Sequence, residues 1–392
     1  MYSLLLAIIY IAFISLGLPD SLLGSAWPTM YGQLGVPVSF AGGITMIISF
    51  GTIVSSLLSD TLTRKLGAGL VTAISVLATA VALFGFSLSN SFLALCLWAI
   101  PYGLGAGAVD AALNNYVALH YSSRHMSWLH CFWGVGTAVS PYIMSYCLTG
   151  GLGWHRGYSF VSLLQVILAA VLFLSLPLWK KRDGNPDGST ETQPPRSLPQ
   201  ILKIRGIKYM LFAFFGYSAL ESTAGLWASS YLAEFRGISS DTAARFASLF
   251  YLGITFGRFL CGFISDRIGD KNMIRSGILV SAFGVILVAF PLDNAFALIG
   301  LIVIGFGCAP VYPSIIHSTP ANFGKENSQA AIGVQMASAY TGTTLMPPLF
   351  GLLGEHISMG LYPFYLLFFA LLMLVVSEGM NRLLAKPKVS KN

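Results

Sequence analysis

Three carboxylates stand inside long apolar runs of this sequence: Asp20 in GLPDSLLGSAWP, Asp110 in GLGAGAVDAALNN and Glu221 in FGYSALESTAGL. A charged side chain in the middle of a membrane costs about 2.5–3.5 kcal/mol on insertion scales, so such residues face a cavity, pair with a neighbour or do chemistry. A carboxyl group withdrawn from water holds a proton more readily than one in solution. If it gains that proton on one side of a membrane and loses it on the other, it couples movement to a proton gradient. Asp20, Asp110 and Glu221 are therefore the candidates for proton coupling, the alternative being structural acids that tie helices together.

The residues around two of these acids suit a hydroxylated ligand. Asp20, Gly24 and Trp27 recur at i, i+4 and i+7 and share one helix face, and Asn114 follows Asp110 by one turn. A carboxylate accepts hydrogen bonds from vicinal hydroxyls and an amide donates to them, while an indole plane stacks on the apolar face of a sugar ring. Trp133, in HCFWGVG, and Tyr312, the tenth-helix counterpart of Asp110, join Asp20, Trp27, Asp110 and Asn114 as the expected substrate-binding set. Trp27 is equally open to the role of an interfacial anchor, and Trp227 reads as packing. His130 and His317 stand at ends of apolar runs and read as boundary histidines held by hydrogen bonds.

Several classes of chemistry are excluded. The five cysteines are scattered through or beside apolar segments without a CxxC pair, which points to packing and not to a disulfide framework or metal site. There is no phosphate-binding loop, no nucleophile–base constellation and no motif for a cofactor, so neither ATP hydrolysis nor another enzymatic activity is expected. Arg258 reads as belonging to the end of its helix, which leaves no Lys or Arg at mid-membrane. On that basis a neutral solute or a cation is expected in preference to an anion, whose desolvation needs a buried cation.

The elements that position these residues are membrane helices. The 392 residues are 55% hydrophobic and 9% charged, against about 25% charged in soluble domains. A span needs about 20 mainly apolar residues. Such runs lie near 2–32, 38–59, 68–88, 93–117, 127–148 and 157–179, then near 208–233, 243–265, 273–291, 295–318, 329–353 and 361–384. The first run lacks a basic n-region and reads as a spanning helix, not a cleaved signal. Between the two sets of six, a stretch rich in Pro, Gly, Ser and Thr cannot bury a core and reads as a linker with a short surface helix. The expected organisation is a six-helix bundle over 1–179, a cytoplasmic linker over 180–207, a second bundle over 208–385 and a tail over 386–392.

Charge sets the orientation. With the N-terminus inside, the cytoplasmic loops collect Arg64, Lys65, Arg124, the linker cluster, Arg267, Lys271, Arg275, Lys325 and the tail lysines, while the other side keeps Arg156, Arg236 and Arg245. This bias places both termini in the cytoplasm, with the chain in the cell membrane. The net charge of +7 follows this topology; no basic patch interleaved with aromatics suggests nucleic acid.

The two halves repeat. Trp27 and Tyr31 match Trp227 and Tyr231, Ser59-Asp60 match Ser265-Asp266, Gly103 and Gly105 match Gly305 and Gly307, and Pro141 matches Pro347. The segment GRFLCGFISDRIGDK, from Gly257 to Lys271, resembles the loop signature of the major facilitator superfamily, and SSLLSDTLTRKLG is a degenerate first copy. In such a loop the glycine makes a tight turn while Asp and Arg cap helix ends and pair with neighbouring loops. Asp60, Arg64, Arg124, Asp266 and Arg267 are accordingly expected to gate the cytoplasmic side, the alternative being a solvated basic loop.

Within that superfamily, the acid of the first helix and the acid followed by Asn in the fourth resemble the fucose-permease-like branch of sugar–proton symporters. The resemblance implies an all-α integral membrane fold of twelve helices in two pseudo-symmetric bundles. It also implies a monomer that moves a small neutral sugar-like solute with protons by alternating access. This sequence has Asp where the fourth-helix acid of that branch is usually Glu, and Trp133 where an Asn-Pro pair would fit. The runner-up is a proton-driven exporter; the exporter run GxxxGPxxGG survives here only as Gly136 and Pro141.

Overall fold

The computed structural model describes residues 2–182, 197–290 and 293–385, and nearly all of them are helical. Half of the expected linker (183–196), and the tail over 386–392, lie outside the described residues. In chain order the first helices are α1 (Tyr2–Asp20), α2 (Leu22–Leu34), α3 (Ala41–Leu66), α4 (Ala68–Leu88), α5 (Phe92–His120), α6 (Ser123–Thr149) and α7 (Gly153–Arg182). They are followed by α8 (Leu198–Leu202), α9 (Ile207–Ser230), α10 (Ser240–Ile268), α11 (Asp270–Ala289), α12 (Asn294–Cys308) and α13 (Val311–His317). The last are α14 (Thr319–Phe323), α15 (Lys325–His356) and α16 (Tyr362–Ala385).

Two of the twelve spans are broken helices. The run from Leu4 to Leu34 is interrupted at Ser21, directly after Pro19-Asp20, and the run from Asn294 to His317 at Ala309-Pro310. Proline has no N–H to continue the helical ladder, which accounts for the second break. The short α8 is the helix expected in the linker; its first turn is closed by a capping box between Ser197 and Gln200, with Pro199 at the helix start.

Among the described residues, nine helical stretches are long and apolar enough to cross a membrane; α6, α9 and α15 are not among them. Those three carry polar side chains on buried faces: Ser127, His130 and Ser140 on α6, Ser218 and Thr223 on α9, and Asn327, Ser328, Gln329 and Gln335 on α15. Polar groups packed against other helices lower the hydropathy of a span without meeting lipid. The outward surface is apolar instead, with Phe50, Leu174, Phe364 and Val375 all largely exposed.

The chain forms two compact units. The first holds the residues up to Tyr116 and those from Leu129 through α7; the second holds Val117–Trp128 together with the chain from Ser197 onward. The boundary expected at the linker is thus crossed by one stretch: the end of α5 and the start of α6 belong to the second unit.

Each unit is assembled by the same device. A Cβ added at Gly103 would collide with the carbonyl oxygen of Ile48, and one added at Gly305 with that of Phe250. The backbones of α3 and α5, and of α10 and α12, therefore touch at equivalent places, as small residues allow between membrane helices. The tight turns after α3 and α10 are also equivalent: Gly67 and Gly269 take φ of 79° and 78°, which L side chains avoid. Within the first unit, Ser15 and Gln165 join α1 to α7 by a pair of buried hydrogen bonds.

Candidate functional site

The first unit builds its polar site from α1, α5 and α6. Gly17 and Gly136 let α1 and α6 come into backbone contact: a Cβ at Gly17 would meet the carbonyl of Trp133, and one at Gly136 the carbonyl of Ile14. One turn along each helix stand Asp20 and Trp133. The Trp133 indole N–H donates to Asp20 Oδ2 at 3.0 Å, and the Tyr102 hydroxyl of α5 donates to Oδ1 at 3.1 Å. Asp20 is nevertheless exposed, so its carboxylate is steadied by two donors and still open to a ligand.

A buried chain of hydrogen bonds continues from α5 into α6. Asn114 Nδ2 donates to Asp110 Oδ1 at 2.8 Å, and His130 Nε2 lies 3.0 Å from Asn114 Oδ1. An amide oxygen only accepts, so in this arrangement Nε2 carries the proton. Phe13 of α1 packs its ring against the imidazole at right angles, with centroids 5.4 Å apart. Asp110, Asn114 and His130 are all buried, and Asp110 is close enough to Asp20 for the two charges to interact.

Trp27 falls elsewhere. Its ring is 5% exposed, inside an apolar core with Leu23, Met30, Trp154 and Tyr158. Its N–H donates to the carbonyl of Val38 at 2.6 Å. The shared face expected for Asp20 and Trp27 does not bring them together: Trp27 stands two turns further along and its N–H is taken up by Val38. Trp227 likewise donates to a carbonyl, that of Pro347, at 2.8 Å. Both indole N–H groups are thus held by backbone carbonyls.

The second unit holds a different cluster. Arg258 Nη2 on α10 donates to Glu221 Oε1 at 3.2 Å and to the Tyr217 hydroxyl at 3.3 Å, both on α9. Tyr312, at the start of α13, packs against Phe214 with centroids 4.6 Å apart and against Tyr217 at 5.7 Å, and its hydroxyl donates to Met336 Sδ. Arg258 corrects the sequence reading. It lies ten residues before the end of α10, about 15 Å along the axis, and is buried. The expectation of a neutral solute rested on the absence of such a cation, and that ground is removed.

The residues expected to gate fall into separate pairs. Asp60 accepts from Arg64 one turn on, at 2.8 Å, within α3. In the second unit, Arg124 donates to Asp266 through both its side chain and its backbone N–H. Beside it, Ser123 donates to Asp270 at 2.7 Å, and His317 bridges Asp270 and the carbonyl of Tyr121. Arg267 is exposed. The boundary reading of His317 thus matches its two hydrogen bonds, whereas His130 is part of the buried chain on Asn114.

Sequence reasoning missed Tyr102 and Tyr217 and misplaced Arg258. Tyr102 stands eight residues before Asp110 and Tyr217 four before Glu221, spacings that share a helix face. A search for hydroxyls on the faces of the buried acids would have found both.

Comparison with known proteins follows the same architecture. The Major Facilitator Superfamily profile matches residues 9–247 and again 210–390. An uncharacterized MFS-type transporter of Yersinia pestis is 24% identical over 88% of this chain and 88% of its own length. The cis,cis-muconate transport protein of Acinetobacter baylyi is 25% identical over 74% of this chain and 73% of its own. Among solved structures, FucP in its outward conformation superposes with a TM-score of 0.80 at 15% identity, covering 97% of this chain and 99% of that one. A second structure of FucP, described as the E. coli fucose:proton symporter, gives a TM-score of 0.73 at 18% identity over 98% of both chains.

Proposed function

The chain belongs to the major facilitator superfamily as a multi-pass membrane protein, and we propose that it is a proton-coupled symporter of a small sugar-like, polyhydroxylated solute, working by alternating access. The observation that carries this reading is Asp20: an exposed carboxylate held by Tyr102 and Trp133, next to the buried chain Asp110–Asn114–His130. Asp20, Asp110 and Asn114 receive solute hydroxyls, and Trp133 offers a ring edge beside them. Asp20 and Asp110 take up and release the proton, with Glu221 a third coupling acid.

The donors on Asp20 are a hydroxyl and an indole, neither of them charged. Protonation of the carboxyl therefore strands no cation, and its carbonyl oxygen still accepts a hydrogen bond. The likeness to the fucose:proton symporter FucP supports the same reading at the level of fold. The protein resides in the cell membrane as a monomer with both termini in the cytoplasm. Arg124–Asp266 and Asp60–Arg64 form cytoplasmic gating pairs.

The test is proton flux in proteoliposomes. Purified protein should admit protons when single sugars and sugar derivatives are added, and Asp110→Asn should abolish the response while the protein stays folded. An unchanged pH dependence in Asp110→Asn would make that acid structural. Silence across the panel, together with proton exit evoked by hydrophobic cations, would replace uptake by export.

A further inference from the structure

Coupling a proton to a neutral solute gives Arg258 no role, and an ion pair inside a membrane protein is costly unless both partners do something. Its geometry differs from the other Arg–Glu pair in the second unit. Arg275 grips Glu378 with two nitrogens on two oxygens, at 2.7 and 2.8 Å, the fork-to-fork arrangement that matches guanidinium to carboxylate. Arg258 meets Glu221 through one nitrogen at 3.2 Å and shares that nitrogen with Tyr217. The accessibility is lopsided as well: the Arg258 side chain is 4% exposed and that of Glu221 22%. Glu221 therefore stands on the open side and screens the guanidinium.

We infer that Glu221 and Arg258 form a carboxylate site that protonation of Glu221 unmasks, so that the transported solute is a polyhydroxylated acid of the uronate or aldonate kind. The inference rests on the proton-coupled reading above and adds the charge of the solute to it. With Glu221 ionised, the pair is neutral and offers a second anion no net charge to bind. When Glu221 takes a proton from water, the buried Arg258 guanidinium loses the charge of this carboxylate, an unfavourable change for an ion pair withdrawn from water. A carboxylate from the solute restores the pairing, and the planar fork of arginine suits it. One proton thus enters with each carboxylate, and releasing the proton from Glu221 to water expels the anion again. The Tyr217 hydroxyl accepts from the guanidinium, and the Tyr312 ring packs against Tyr217 beside it.

The other titratable groups that reach the pair are Tyr217, Tyr251, Cys261, Cys308 and Tyr312, of types that ordinarily titrate above about pH 8. From α16, Tyr362 donates to the carbonyl of Ala224, one turn from Glu221. The charged residues of α15, namely Lys325, Glu326, Glu355 and His356, are confined to its two ends, and those of α16, Glu378 and Arg382, to its last turns.

Counterflow exchange in proteoliposomes tests this without a proton gradient, using the matched probes galacturonate against galactose and gluconate against glucose. Wild type should prefer the acid of each pair by about tenfold or more, the margin that one added charged contact provides. Its affinity for the acid should fall about tenfold per pH unit once Glu221 is ionised. Glu221→Gln, which copies the protonated state, should keep the low-pH affinity at every pH. In Arg258→Gln the ratio of acid to neutral probe should collapse to about one. Should that variant not fold, the double variant Glu221→Gln/Arg258→Gln strands no charge and should give the same ratio. Neutral sugars exchanging as well as acids in wild type, or a steep pH dependence surviving in Glu221→Gln, would overturn the inference and leave the sugar-like reading standing. No exchange of any probe by folded protein would overturn both.

Discussion

In the first unit Asp20 is held by donors without charge, Tyr102 and Trp133, whereas in the second Glu221 faces the guanidinium of Arg258. The difference decides what each acid does when it takes a proton. At Asp20 the change affects one group, and every neighbour keeps a hydrogen-bonding partner. At Glu221 the same change removes the carboxylate charge that faces the buried Arg258, which favours a second event. Two carboxylates thus have different neighbours, and the neighbour, not the acid itself, sets what protonation does.

That comparison breaks most decisively if the acids of the first unit prove dispensable. Asp20→Asn and Asp110→Asn should each abolish solute-evoked proton entry while leaving counterflow exchange detectable; retained proton entry in both would end the contrast. The next largest effect is on stability. Arg258→Leu leaves Glu221 beside an apolar side chain and should cost about 3–5 kcal/mol, whereas Arg258→Leu/Glu221→Leu should recover most of it. Melting in detergent reads both, and equal losses would mean that the pair is not coupled.

Trp133→Phe sharpens the first-unit side by removing one donor to a charged carboxylate. A loss of about 1.5–3 kcal/mol, or roughly tenfold or more in solute affinity, is expected in binding assays. Trp27→Phe should leave affinity unchanged and lower the melting temperature alone, because its N–H holds Val38. Gly136→Ala tests how Trp133 reaches Asp20: the added Cβ meets the Ile14 carbonyl and should cost about 1–3 kcal/mol through forced separation of α1 and α6. The smallest effect belongs to Arg124→Gln. That pair is half exposed on its arginine side, so its loss should change stability by less than about 1 kcal/mol.

The repeat shows how unevenly sequence similarity translates into structure. Gly103 and Gly305 do the same work, since a missing Cβ has one consequence wherever two helices meet. Tyr31 and Tyr231 do not: Tyr31 is exposed, while Tyr231 is buried and donates to the carbonyl of Val288. Ser59-Asp60 and Ser265-Asp266 diverge in the same way, Asp60 pairing within its own helix and Asp266 with Arg124.

Length and polarity of the apolar runs were enough to determine twelve spans, because a bilayer admits few ways to satisfy a backbone and those ways have a fixed length. The identities of Asp20, Asp110, Asn114 and Glu221 were legible for a related reason: a polar side chain is conspicuous where polarity is expensive. Tertiary structure alone decided which partner each acid has. Tyr102 and Trp133 reach Asp20 from helices α5 and α6, and Arg258 reaches Glu221 from α10, thirty-seven residues away. Hydrogen bonds act over about 3 Å and depend on how helices cross and rotate. The carbonyl of Val38 took up the Trp27 N–H, and the depth of Arg258 along α10 followed from where that helix ends. Those are properties of packing, which the spacing of residues along one chain does not contain.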